Sequence, residues 1–196
     1  MLNNALLFLL DAVLGLLTLA FLLRFYFQVT RVSFQNQVAQ MLVSLTNFAV
    51  LPMRKFTAAF KNFFVRKWDL STILLAYLCQ LLLKFITLWL SGYPYLVAGD
   101  AFWLKLLLMA LISIINISLS IFLYAVLIQA ILSWINPHTP IAPILNGLTD
   151  PILRFMRRIV PMAGNIDLSP LVFIIVAQLL LTTILIPLEN NILTAF

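Results

Sequence analysis

Cysteine, histidine, glycine and charge are all scarce in this 196-residue chain. The single cysteine, Cys79, stands inside an apolar run, so no internal disulfide can form and the redox compartment stays open. The single histidine, His138, sits in the turn Asn136-Pro137-His138-Thr139-Pro140 with no thiol or acid beside it. One Cys and one His exclude an ordinary all-protein zinc site within one chain. The glycines form no phosphate-cradling loop and no nucleophile elbow. No catalytic constellation or cofactor is expected. Charge is the most telling shortage: 9% of residues are Asp, Glu, Lys or Arg, against about a quarter in soluble domains.

What replaces the missing charge is hydrocarbon. Hydrophobic residues make up 64% of the chain and the mean hydropathy is +1.11. Four apolar runs, at about 2–29, 70–90, 102–134 and 169–188, are each long enough to cross a bilayer. The first lacks a basic leader and a small-x-small cleavage site, so it reads as a retained span. The third, with 33 residues, would reach ~50 Å as a helix against a hydrocarbon core of ~30 Å. It must tilt, project beyond the membrane, or break near Ser113, Asn116, Ser118 and Ser120. The expected fold is an all-α polytopic membrane protein with four transmembrane helices.

Basic residues orient those helices. Arg31, Arg54, Lys55, Lys61, Arg66 and Lys67 fall between the first two spans, and Arg154, Arg157 and Arg158 between the last two. The 91–101 connection and both termini have neither Lys nor Arg. The positive-inside rule then places both long loops in the cytoplasm and both termini outside. Trp68 and Trp134 fall at the inner boundary, Trp89 and Trp103 at the outer one, as an aromatic belt requires. The net charge of +6 suits anionic lipid headgroups, and no nucleic-acid module accompanies it.

The chain also repeats itself. Asp69-Leu70-Ser71 follows Arg54-Lys55 as Asp167-Leu168-Ser169 follows Arg157-Arg158, and Gln-Leu-Leu-Leu begins eleven residues after each Asp, at Gln80 and Gln178. Two units result, 1–92 with its basic loop at 30–69 and 93–196 with its basic loop at 135–168. Both enter the membrane from the same side, as parallel repeats. The stretch Asp150 to Pro170, DPILRFMRRIVPMAGNIDLSP, resembles the signature of the YggT (also YlmG) family of small bacterial membrane proteins. The resemblance extends over nearly the whole chain. It is closest in the second repeat; in the first, Asn47-Phe48 replaces the usual polar-Pro pair. The resemblance implies a bacterial inner-membrane protein that is not an enzyme. It also implies an association with osmotic-stress tolerance and ion homeostasis, with cell division, or with cytochrome b assembly and nucleoid distribution in chloroplasts.

Within the second loop, Pro151 to Val160 reads as a short helix, with Asp150 as N-cap and Pro161 and Gly164 ending it. Ile152, Phe155, Met156 and Ile159 share one side, and Arg154, Arg157 and Arg158 the other. Such a helix lies in the membrane interface, anchored by arginines to phosphates, or presents a docking face to a cytoplasmic partner. Arg54 and Lys55 repeat the idea in a weaker, mostly uncharged amphipathic stretch. Asp69 with Ser71 and Asp167 with Ser169 are expected to cap the following spans, Pro170 favouring the Ser169 hydroxyl in the second. Each Asp is also a candidate to pair with an arginine of its own loop.

Gln80 and Gln178 should lie near the midplane, ~16 Å deep, and hold the two halves or two protomers together. The alternative is a polar pathway joined by Asp11, Arg24, Lys84, Lys105, Asn116 and Gln129, although Arg24, Lys84 and Lys105 are placed to snorkel. Two function classes follow. One is a membrane scaffold or assembly factor with anionic phospholipids, a further protein or a second copy as partners. The other is a small ion channel or transporter subunit.

Overall fold

The computed structural model describes residues 2–58, 69–92, 99, 101–136, 139–160 and 167–194. Lys61, Arg66, Lys67, Trp68, His138, Pro161 and Gly164 lie outside the described residues. The helices are α1 (Leu2–Val29), α2 (Gln37–Ala58), α3 (Leu70–Leu90), α4 (Ala101–Ile135), α5 (Ala142–Ile159), α6 (Ser169–Leu180) and α7 (Ile186–Thr194). A π-helical turn, Leu181–Leu185, joins α6 to α7. Four segments are long and apolar enough to span a membrane: Asn3–Val29, Leu70–Leu90, Ala101–Ile135 and Ser169–Ile192.

The third span does not break. It is one 35-residue helix, ~52 Å long, and α5 packs against it. The fourth span runs beyond the expected boundary at 188. Glu189 and Asn190 end the apolar pattern, yet the helix continues because Glu189 finds partners inside the bundle. The π turn lies just before Pro187. In a regular α-helix the proline ring would meet the Thr183 carbonyl, and the wider turn absorbs that clash.

The helix expected at Pro151 starts nine residues earlier, at Ala142, with Pro143 in its first turn. Asp150 is therefore inside the helix and caps nothing. Interior Pro151 forfeits one backbone hydrogen bond, but Ile144, Leu148 and Leu153 are buried by the longer helix, and that burial outweighs it. Of the expected apolar side, Ile152 and Met156 are half-buried against the bundle while Phe155 and Ile159 remain exposed, and the buried anchor is Leu153, which that side did not include.

Packing follows chain order. α1 packs on α3, α3 on α4, and α4 on α6 and α7; α2 lies against α1 and α3, α5 against α4 and α6. The largest core gathers Phe21, Leu22, Phe27, Val50, Ala76, Ile114, Ile121 and Leu148 from α1 to α5. A second joins Leu123, Val126, Leu153, Phe173 and Ala177. Where α5 crosses the chain leaving α1, Gly147 is needed: a Cβ there would come within 2.9 Å of Val32 Cγ2. Trp89 and Trp103 are exposed at one end of the α3–α4 pair, and Trp134 is exposed at the other end of α4.

Candidate functional site

The helices α2 and α5, which precede the second and fourth spans, are fastened to their neighbours by a matching set of bonds. Arg54 of α2 donates its Nε to Asp69 Oδ2 at 2.7 Å and forms a salt bridge through Nη2. Arg157 of α5 donates its Nε to Asp167 Oδ2 at 2.8 Å. Each carboxylate also accepts the backbone N–H two residues on, from Ser71 at 3.2 Å and Ser169 at 2.9 Å. One aspartate thus clasps the helix before it and caps the next span at once. Burial pushes both carboxyls up, but the bonds from arginine and serine outweigh it and hold both below the ordinary carboxylate value.

The serines differ from the expectation. Ser71 Oγ pairs with Thr57 Oγ1 at 2.7 Å, a second tie between α2 and α3. Ser169 Oγ is buried and has no hydrogen-bond partner among the described residues, so the Asp167 carboxylate, not that hydroxyl, serves the helix start. Pro170 has no N–H to donate, which leaves the Ser169 N–H as a nearby donor.

A second fastening was missed in the sequence. Arg24 does not snorkel. It is 3% exposed, and its Nη1 donates to Thr46 Oγ1 at 2.6 Å and Asn47 Oδ1 at 3.0 Å of α2. Gln129 of α4 holds the same place in the second unit. It accepts from the Thr149 hydroxyl and donates to Asn146 Oδ1 at 2.8 Å. Thr46 and Thr149 each stand eight residues before the clasp arginine. The signal was present in that spacing, but threonine on an amphipathic stretch reads as a plain surface residue.

The glutamines part company. Gln80 is buried and donates to Thr18 Oγ1 of α1 at 3.1 Å. Gln178 is exposed, so the two do not pair within the chain. Thr18 lies six residues before Arg24, and the residue six before Gln129 is Leu123, a core residue with no acceptor to offer.

Between α1, α3, α4, α5 and α7 runs a groove of about 630 Å³, lined mainly by apolar residues, with Asp11, Gln80, Lys84, Ser113, Asn116, Ser120 and Glu189 along it. Lys84 forms a salt bridge with Glu189, which also accepts from Ser113 Oγ at 2.8 Å. Lys84 is thus turned inward rather than toward a span end, and Lys105 is buried as well. Asp11 is exposed on the groove wall. Among the described residues, no three His, Cys, Asp or Glu side chains gather as metal ligands would. Of the basic residues expected at the surface, Lys55, Arg154, Arg157 and Arg158 are exposed and Arg54 is half-buried.

Four helices long and apolar enough to span a membrane, with α2 and α5 clasped against them, make this an all-α polytopic membrane protein. It belongs to the CCB3/YggT family, whose sequence model matches residues 3–90 and 108–188. Among its relatives is the uncharacterized protein PA0392 of Pseudomonas aeruginosa, 34% identical over 172 residues, 87% of this chain and 83% of that one. A Vibrio alginolyticus protein named for its place in the proC 3' region is 33% identical, covering 89% of this chain and 90% of its own. The uncharacterized protein YggT of Escherichia coli K12 is 31% identical, covering 88% and 85%. No solved structure matches significantly.

Proposed function

We propose that this protein is a non-enzymatic scaffold of the bacterial cytoplasmic membrane. It holds two amphipathic helices in the inner leaflet, with both termini outside, and offers their basic faces to anionic lipids and to a membrane or cytoplasmic protein partner. Its effect on ion and osmotic balance is then indirect. The observation that carries this reading is the duplicated clasp, Arg54–Asp69 and Arg157–Asp167, which fixes each amphipathic helix against the bundle. α2 supports it further: opposite its buried Ala39, Leu42 and Val50, an exposed row of Met41, Leu45, Phe48 and Phe56 suits immersion in the leaflet. On α5, exposed Phe155 and Ile159 flank exposed Arg154 and Arg158 in the same way.

Each basic residue near an anionic leaflet contributes ~1 kcal/mol, so converting Arg154 and Arg158 to Glu removes ~2 kcal/mol of attraction, and converting Arg157 as well also breaks the clasp to Asp167. The triple variant should insert normally, because the spans depend on hydrophobic burial, yet fail to restore growth of a deletion strain under hyperosmotic stress. Full complementation at normal abundance would sink the proposal for α5. A second reading, a small ion-conducting subunit, is favoured by the polar residues along the groove. Ion flux into liposomes carrying the purified protein, abolished by Asp11→Asn, would establish that reading; absence of flux favours the scaffold.

A further inference from the structure

Arg24 carries a charge that its bonds do not neutralise. Its Nη1 acceptors, Thr46 Oγ1, Asn47 Oδ1 and the Val43 carbonyl at 3.4 Å, are all neutral. Its Nε is buried without an acceptor among the described residues. The charges that act on it are Arg54 and Asp69, and Asp69 is already engaged by Arg54. The three groups together bear one net positive charge. A guanidinium held in this way costs stability unless an anion comes to it.

Beside it is room for one. A cavity of about 500 Å³ is lined by Arg24, Arg54, Gln28, Gln40 and Ser44, with Phe34 at its wall. Arg24 and Gln28 lie in the last turns of α1, Phe34 in the connection that follows, and α2 supplies the rest. The Ser44 hydroxyl and the Gln40 amide already donate to the Gln40 and Gln35 carbonyls, and Arg54 gives Nε and Nη2 to Asp69. The donors left for an anion are chiefly Arg24 Nε, the Gln28 amide and the remaining guanidinium N–H groups, a set that suits tetrahedral oxyanions. The second unit shows what happens without the charge. The corresponding space is lined by Gln129, Ser133, Leu145 and Asn146 and shrinks to about 90 Å³. Gln129 replaces Arg24, and Ser133 stands four residues on, where Gln28 stands from Arg24. The units share a clasp but not this cavity.

We propose that the Arg24–Arg54 cavity is a binding site for one phosphate group, presented by an anionic phospholipid headgroup or by free phosphate. The lipid source rests on the reading that α2 lies in the inner leaflet; the site itself does not. Phe34 and the exposed apolar row of α2 would run beside the acyl chains of such a lipid.

The test uses the full-length protein, delipidated in a neutral detergent, with native mass spectrometry and thermal unfolding as readouts. The probes are dioleoylphosphatidylglycerol, dioleoylglycerol lacking the phosphate, and inorganic phosphate. Two variants challenge the site. Arg24→Gln installs the side chain that the second unit uses. Ser44→Phe fills the cavity from an exposed position and leaves the Arg24 bonds untouched. Wild-type protein should retain one phosphatidylglycerol, and both variants should bind it about tenfold or more weakly, the loss expected for a charged hydrogen bond. Dioleoylglycerol should not compete. Stabilisation by inorganic phosphate, lost in both variants and without a bound lipid, would assign the free ion as the source. Equal phosphatidylglycerol binding by wild type and Ser44→Phe, or equal binding of dioleoylglycerol, overturns the proposal. A failure here with the Arg154, Arg157 and Arg158 variant still defective under stress would leave the scaffold reading standing.

Discussion

Glu189→Gln should be among the most damaging single changes outside the hydrophobic core. It takes from the Lys84 ammonium the carboxylate it is paired with and leaves Asp11 as the other acid lining the groove. Breaking a buried ion pair costs about 3–5 kcal/mol, because the surviving charge is uncompensated. The side chains of Lys84 and Glu189 are 23% and 15% exposed, and in a bilayer much of that exposure is to hydrocarbon, which screens nothing. Lys84 lies six residues from the end of α3, ~9 Å of rise, so its stem recovers part of the loss by stretching toward the interface. The low end of the range, ~3 kcal/mol, is therefore expected. Lys84→Met should cost somewhat less, since Glu189 keeps its bond from Ser113. The double variant Lys84→Met with Glu189→Leu should return to within ~1 kcal/mol of wild type, as an apolar replacement of a buried pair does. Reversible unfolding in mixed micelles, run as a double-mutant cycle, measures the coupling. Additivity of the two single changes within ~0.5 kcal/mol would refute the pair as a stabilising contact in the membrane.

The glutamines should behave unequally. Gln80→Leu loses the bond to Thr18 and destabilises by ~0.6 kcal/mol, at most ~2, while Gln178→Leu is neutral or slightly stabilising; equal costs by thermal unfolding would contradict the asymmetry. Acid should loosen the clasps in a defined window. Both aspartates are held below their ordinary value, so their contribution is complete above the unfolded carboxylate pKa of ~4 and is lost as pH falls through the folded value. Hydrogen exchange of α2 and α5 should be flat in its opening free energy from about pH 8 to about pH 5 and should weaken only below ~4, with Asp69→Asn removing the α2 response. Loss of protection near pH 6 would point to a different titrating group. For topology, in a Cys79→Ser background, Ser91→Cys should react with an impermeant thiol reagent in intact cells and Ser33→Cys only after the membrane is opened; the reverse pattern overturns the orientation.

Much of this architecture is written in one dimension. Hydrocarbon burial is additive along a run of residues, so composition alone marks four spans, and two of them, Leu2–Val29 and Leu70–Leu90, fall where hydropathy places them. The aspartates are legible for a related reason: a helix start lacks N–H partners whatever surrounds it, and Asp69 and Asp167 supply them locally. Boundaries that depend on a distant partner are not legible. Glu189 looks like the end of a span until Lys84 and Ser113 are brought to it from other helices. Asp150 looks like a cap until α4 and α1 bury the residues before it and carry the helix back to Ala142.

The sequence by itself determined the class of protein, the span count, the repeated order of basic pair, aspartate and glutamine, and the scarcity of catalytic groups, because each depends on residues close together in the chain. Tertiary structure alone decided that Arg24 turns inward onto α2 rather than out to the interface. It also decided that Gln80 finds Thr18 while Gln178 faces outward, and that one unit keeps a charged cavity where the other closes over a glutamine. A charge or an amide in an apolar helix must be satisfied somewhere, and only the three-dimensional arrangement of the neighbouring helices specifies by what.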